Sequence, residues 1–304
     1  MLVRILGSGA GGGFPQWNCN CSNCAGYRQG AIRAHARTQS SIAISPDGGK
    51  WMLGNASPDI RSQLAEFTAV HPRGAVRDCG IEAVVLIDSQ LDHVTGLLSL
   101  RESHKPLKVY CTERTHEDLV SGFPLFSILE HYCRIDWQPV PVDETWMALD
   151  GIGGLSLVAI PLTSKPPPYS PHRQNTRPGD NIALLVKDDE SGRTLFFAPG
   201  LGLMEPHLEA WMSDADCLLV DGTFWTDDEM QRQGAGQKRA TEMGHLALSG
   251  PDGLIEQISR FSKPRKVLIH INNTNPILDE DSPQRSLLAD KGIEVSFDGM
   301  EIEI

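Results

Sequence analysis

No stretch of the 304 residues approaches the roughly 18 consecutive apolar positions of a membrane span. The opening residues, MLVRILGSGAGGG, hold a single arginine and an apolar run too short for a secretion signal. The expected location is therefore the cytoplasm. A basic surplus is also missing: 27 Lys and Arg stand against 39 Asp and Glu, for a net charge of −12. That disfavours a nucleic-acid partner, because phosphate backbones attract basic surfaces. It leaves room for a small acidic ligand, which needs only a local group of Arg or Lys. No repeat, low-complexity tail or clear linker divides the chain. A prior of roughly 150 residues per domain would give two domains, but α/β sandwiches often run longer as one, and a single domain over 1–304 is expected. Seven cysteines in a cytosolic chain of this size argue against a disulfide framework.

Apolar segments bounded by turn residues outline the rest. LVRIL, then SSIAIS and WMLGN around Pro46-Asp47-Gly48-Gly49, predict a strand followed by a hairpin. IEAVVLID, LKVYC, LSLVAIPL, NIALLVKD, RTLFFAPG, DCLLVDGTF and KVLIHIN predict further strands. EPHLEAWM and GLIEQISRF read as helices, and Ser57-Pro58-Asp59 reads as a helix start with Ser57 as its cap. The pattern suits two sheets packed face to face with helices outside. KPPPYSPH (165–172) is too proline-rich for a helix or strand interior, and DDEMQRQGAGQKR (227–239) reads as a polar loop. Both are long enough to serve as lids or rims.

Gly7, Gly9 and Gly12 match G-x-G-x-x-G after a strand. A dinucleotide site needs a helix immediately afterwards, and Gly13-Phe14-Pro15-Gln16 is not a helix start. A tight turn with close backbone packing is the better reading.

Four polar residues close four apolar strands: Asn55, Asp92-His93 just beyond its strand, Asp221 and His270. Strand ends are where α/β folds place chemistry. Singly, each has a bland explanation as a turn residue or a satisfied core group. Together they form a pattern. The order is similar to the motif series of the metallo-β-lactamase superfamily, which implies an α/β fold, an αββα four-layer sandwich. In place of that superfamily's H-x-H-x-D-H, this chain has Ser89-Gln90-Leu91-Asp92-His93. Both leading histidines are gone, and the segment that would carry the third-motif histidine, IPLTSKPPPYS, has none before His172. The lost ligands all belong to one metal site. Those the resemblance retains, Asp92, His93, Asp221 and His270, belong to the other. Decay of a dead enzyme would strike both sites alike. Two histidines and a carboxylate with open positions suit Fe2+ and dioxygen chemistry. Zinc is the substitute, with hydrolysis as the alternative activity. Asp221 is a candidate in catalysis as well, and His245 in Met243-Gly244-His245-Leu246 is a candidate proton donor heading a helix.

Cys19, Cys21 and Cys24 lie within six residues, close enough to converge on one Zn2+ as a structural site in the loop 16–26. Cys79, Cys111, Cys133 and Cys217 are dispersed and read as ordinary buried residues. Without a helix at the motif, a redox role is the lesser alternative. By resemblance to phosphodiesterases of the superfamily, the fourth ligand position falls on Asn273. Arg37, Lys165 and Arg173 are loop cations available to substrate carboxylates.

GSGAGGGFPQWNCNCSNC, NASPDIRSQL, DSQLDHVTGLLSLRE, EMGHLALSG and HINNTNPIL narrow the resemblance to the pyrroloquinoline quinone (PQQ) synthesis protein B family, along the whole chain. That resemblance implies a role in PQQ biosynthesis, with a small acidic peptide or quinone precursor and other pathway proteins as partners. One role attached to the family is hydroxylation of the tyrosine ring of a Glu-Tyr precursor. The other is carriage of PQQ or a precursor toward the periplasm. Selective retention of one ligand set favours the first. A homodimer is left open.

Overall fold

A computed structural model describes residues 1–304. The backbone divides into two compact units. One joins Met1–Gly7, Ser40–Thr194 and Gly299–Ile304, and the other joins Ser8–Gln39 and Leu195–Asp298.

In the first unit β1 (Leu2–Gly7), β2 (Ser41–Ser45), β3 (Trp51–Gly54), β4 (Ile81–Val85), β5 (Leu107–Cys111) and β6 (Ile135–Pro139) lie side by side in that order. The strand Glu301–Glu303 pairs with the outer edge of β1. Pairing is antiparallel from β1 to β3 and parallel from β3 to β6. The β2–β3 hairpin sits where its turn residues predict it. β7 (Met147–Ala148), β8 (Leu155–Pro161) and β9 (Ile182–Asp188) form an antiparallel set in the same unit. Leu53, Val84, Leu86, Leu97, Val109 and Leu119 are almost wholly buried in its core. Removing one such side chain from water stabilises the fold by on the order of 2 kcal/mol.

The helix after β3 starts later than its sequence signals suggest. It spans Ile60–Glu66, and Ser57 is not its cap. The Ser57 hydroxyl instead donates to Gln63 Oε1 at 3.2 Å and accepts from the Asp59 amide at 3.3 Å. After β4 the chain turns through a single helical turn, Leu91–Val94, continued by a 3-10 helix over Thr95–Glu102. Gly96 admits a close approach there: a Cβ on it would lie 2.1 Å from the Ser57 carbonyl oxygen.

The second unit carries β10 (Thr194–Ala198), β11 (Cys217–Asp221), β12 (Arg265–Ile269) and β13 (Ile293–Val295), all parallel. The connecting helices are Pro206–Asp214, Leu254–Ser259 and Pro283–Asp290. Parallel pairing brings the carboxyl ends of β11 and β12 to one edge, where Asp221 and His270 sit. Gly12 and Gly13 adopt positive φ in a turn, and no helix follows the glycines until Ser22, in line with the rejection of a dinucleotide motif. A side chain on Gly13 would meet the Arg37 carbonyl at 2.8 Å.

Four local expectations are corrected. The polar loop contains the short helix Glu229–Arg232, because buried Glu229 accepts from the Trp225 amide at 2.6 Å and anchors the segment. His245 does not head a helix: it follows Gly244, whose φ of 89° ends a short 3-10 turn, and the next helix starts at Leu254. A helix does begin inside the cysteine motif, over Ser22–Gln29, with Cys21 at its N-cap. Cys79 is exposed, whereas Cys111, Cys133 and Cys217 are buried. No helix is long and apolar enough to cross a membrane.

Candidate metal centres

In the first unit the segment after β4 presents Asp88, Ser89, Asp92 and His93. His93 is buried, and its Nδ1 donates to Asp88 Oδ1 at 2.7 Å. Asp88 Oδ1 also accepts from the Gln90 amide at 2.9 Å, which fixes the carboxylate against the turn. With Nδ1 committed, the lone pair of the neutral ring lies on Nε2, 3.8 Å from an Asp92 oxygen. Burial alone would lower the His93 pKa. The Asp88 and Asp92 carboxylates outweigh it and push it up to about 9. Two anions favour a cation on this ring, and a metal would replace the proton.

Ser89 and Leu91 stand where the superfamily has metal-binding histidines. Ser89 Oγ donates to Asp118 Oδ2 at 2.6 Å, and Ser170 Oγ donates to the other Asp118 oxygen. The Tyr169 hydroxyl donates to the Ser89 carbonyl. Asp118 thus ties the proline-rich segment to the strand end, and Leu91 is half exposed with no donor atom to offer. Nothing in the sequence pattern signalled this Asp118 clasp.

In the second unit Asp221, His245 and His270 bring one donor atom each within 4.8 Å of one another. Asp221 is fully buried. Its Oδ1 accepts from the Thr223 amide at 2.9 Å, and its Oδ2 from the Leu201 amide at 2.8 Å and from His245 Nδ1 at 2.7 Å. Burial pushes this carboxyl up, but the His245 ring and these bonds hold it below its ordinary value. Three of about four carboxylate lone-pair sites are engaged. Thr223 Oγ1 lies 2.9 Å from His270 Nδ1, 2.8 Å from the His270 carbonyl and 3.1 Å from His245 Nδ1. The hydroxyl can accept from His270 Nδ1 while donating to the carbonyl. Both rings then present Nε2 as the lone-pair nitrogen, and they stack at 5.3 Å. His270 has a φ of 61°, the left-handed region that a β-carbon disfavours by about 1 kcal/mol or more. Asn55, the residue after β3, has the same conformation, at 63°, but its Oδ1 accepts from the Ile87 amide at 3.2 Å, which gives it a structural role.

The Cys19, Cys21 and Cys24 sulfurs also lie within 4.8 Å of one another in this unit. Asn273 Nδ2 faces all three, at 3.0, 3.5 and 3.5 Å. An amide flip would turn Oδ1 toward the same point. Asn23 Nδ2 donates to the Asn273 and Asn275 carbonyls at 3.1 and 2.9 Å, clasping the cysteine loop onto the segment that follows His270. Burial pushes the Cys21 thiol up to about 12. At Cys19 burial acts the same way, but hydrogen bonds from Cys21, Cys24 and Asn273 bring the net shift down. Three convergent sulfurs with a polar fourth side suit a tetrahedral zinc, which takes them as thiolates.

The remaining candidates are placed as follows. Arg173 donates Nη1 to the Pro166 carbonyl, and Lys165 is exposed. Arg37 is buried. Thr223, Asp88 and Asp118 were missed, being ordinary turn-type residues until the fold sets them beside histidines or serines.

The Beta-lactamase superfamily domain model matches residues 50–271. Coenzyme PQQ synthesis protein B of Methylococcus capsulatus is 59% identical over 302 residues, covering 99% of both chains. Its counterpart in Nitrosococcus oceani is 57% identical over 307 residues, again covering 99% of each. Among solved structures, zinc-bound PqqB from Methylobacterium extorquens superposes with a TM-score of 0.91 at 36% identity, covering 100% of both chains. The α/β metallo-β-lactamase fold expected from the motif series is therefore the fold of this chain. The chain belongs to the coenzyme PQQ synthesis protein B family, within the β-lactamase superfamily.

Proposed function

We propose that the protein serves PQQ biosynthesis as a hydroxylase of the tyrosine ring of a Glu-Tyr precursor, using one active-site metal. The ligand set is the one the family pattern assigns, Asp92, His93, Asp221 and His270. Fe2+ bound to such a set, with open positions, supplies oxygen chemistry, and zinc is the substitute. The observation that supports this reading is the shared anchoring of three imidazoles. His93 is tethered through Nδ1 to Asp88, His245 to Asp221 and His270 to Thr223, which leaves Nε2 of each ring for a metal or a substrate proton. Ser89 and Leu91 supply no second set of ligands, so a two-metal phosphodiester mechanism is disfavoured.

Within this reading the chain's own groups divide the work. Asp221 holds His245 in one tautomer, and His245 passes a proton at its Nε2. Cys19, Cys21 and Cys24 with Asn273 hold a structural Zn2+ that braces the segment following His270. Neither unit is a continuous stretch of chain, and we take residues 1–304 as one functional domain in the cytoplasm. The test is to load the apoprotein with Fe2+, add Glu-Tyr, oxygen and a two-electron reductant such as ascorbate, and follow by mass spectrometry the addition of one oxygen atom to the ring, the other leaving as water. Turnover on phosphoesters without oxygen incorporation would replace this reading with a hydrolase. Tight PQQ binding that survives Asp92→Ala, without turnover, would replace it with a carrier.

A further inference from the structure

A cleft of about 610 Å³ in the second unit has Arg33, Arg37, Glu280, Arg285, Phe297 and Asp298 in its lining, together with His35. Three guanidiniums in one cleft are out of character for a chain of net charge −12. The nearby carboxylates offset this charge only in part, because their oxygens are engaged elsewhere. Asp298 is consumed by hydroxyls and amides: its Oδ1 accepts from the Ser8 amide and hydroxyl at 2.9 and 2.6 Å, and its Oδ2 from those of Thr38 at 2.6 and 2.7 Å. Glu280 is taken by Arg33 on one oxygen and by His35 at 3.2 Å on the other. Arg33 is completed by Asp281, at 3.1 and 2.6 Å.

That leaves Arg37 and Arg285. Arg37 is 5% exposed. Its Nη1 donates to Ser8 Oγ at 2.7 Å and to the Ser296 carbonyl, and its Nε has no hydrogen-bond partner. Arg285 is half buried and donates Nη1 to the Ile277 carbonyl at 3.2 Å, with no carboxylate in ion-pair range. Burial lowers the Arg37 pKa to about 10, with the charge on Arg285 adding to the shift and the Asp298 and Glu280 carboxylates opposing it only in part. Arg285 is lowered in turn by burial, against the Glu280 carboxylate and with a further contribution from Arg33. The cluster therefore holds like charges close together in a partly desolvated cleft, with donors to spare. A buried charge whose neighbouring carboxylates are engaged by other donors is costly, and an anion bridging the two guanidiniums offsets that cost. Phe297, 46% exposed, adds an apolar aromatic face to the same cleft, which an inorganic anion would not use.

We propose that this cleft is a binding site for a flat organic carboxylate, its carboxylate held by Arg37 and Arg285 and its ring lying against Phe297. The site does not depend on the metal chemistry proposed above. The probe is benzene-1,3,5-tricarboxylate, titrated calorimetrically into the full-length, metal-loaded protein at fixed ionic strength, with inorganic phosphate in parallel. Saturable binding of the tricarboxylate is expected. Arg285→Gln weakens it roughly tenfold or more, the loss of one charge-assisted contact. Phe297→Ala weakens the tricarboxylate and leaves phosphate unchanged. Asp92→Ala leaves the tricarboxylate unchanged, which separates the cleft from the metal centre. Arg37 is left intact because it pins Ser8 and Ser296, and Phe297→Ala serves if Arg285→Gln fails to fold. The proposal is overturned by an absence of saturable binding, by equal affinity in a folded Arg285→Gln, or by loss of binding in Asp92→Ala. Phosphate binding as tightly as the tricarboxylate, with no effect of Phe297→Ala, overturns it too.

Discussion

Glu229 is a buried acid whose protonation writes itself into the stability of the fold. Its Oε2 accepts from the Trp225 amide at 2.6 Å, and its Oε1 sits 2.6 Å from Thr274 Oγ1. Burial pushes its carboxyl up from 4.5 to about 7, against the lowering effect of those bonds. The folded chain therefore binds more protons than the unfolded chain between about pH 4.5 and pH 7. Stability contributed by this group is fully present below the unfolded value and is lost as pH rises through about 7. A window about 2.5 pH units wide, at about 1.4 kcal/mol per unit, sets the loss at about 3 kcal/mol. Glu229→Gln mimics the protonated acid: its oxygen accepts from Trp225 and its amide donates to Thr274 Oγ1. The variant should match the parent near pH 4.5 and exceed it by about 3 kcal/mol at pH 8. With unfolding entropy near 2.1 cal/mol/K per residue over 304 residues, that is about 5 °C in Tm. Thermal melts of both proteins across pH 4.5–8 provide the assay, and the difference between them isolates Glu229 from every other titrating group. Parallel profiles for parent and variant would refute the reasoning.

Three further perturbations follow from the same geometry. Asp88→Ala frees the His93 ring and should weaken metal binding roughly 10- to 100-fold in chelator competition, and an unchanged affinity would remove the anchoring role. If the cysteines hold the proposed structural zinc, Cys24→Ala should remove it by elemental analysis and lower Tm by several degrees, whereas Cys217→Ala should leave it in place. Asp118→Ala strips the acceptor from Ser89 and Ser170, at about 3 kcal/mol for two bonds to a carboxylate, and trypsin should then cut sooner at Arg173.

How far the sequence reached depends on the kind of signal. The β2–β3 hairpin was legible because a Pro-Asp-Gly-Gly turn separates two apolar runs, and β11 and β12 because a buried parallel strand is a continuous apolar word. Asp221 and His270 could be flagged because each ends such a word. Ser57 misled because Ser-Pro-Asp is a good helix start in isolation, while here its hydroxyl is drawn to Gln63. The Thr223 bridge between two histidines was invisible: a threonine after Asp-Gly carries no sign that His245, 22 residues on, and His270, 47 residues on, will share its hydroxyl. The helix at the cysteine motif was missed for a related reason, since Cys21 is an unusual N-cap and makes no side-chain capping bond.

The clasp between the cysteine loop and Asn273 also sets an order of events during synthesis. The thiols emerge early, yet the side chain that closes their fourth side lies 249 to 254 residues downstream. At about 5–20 residues per second, a ribosome needs on the order of ten to fifty seconds to supply it. Throughout that interval the nascent chain carries three thiols with their fourth side open to any soft cation, so which ion such a site would take up depends on what the growing polypeptide meets before the far segment arrives.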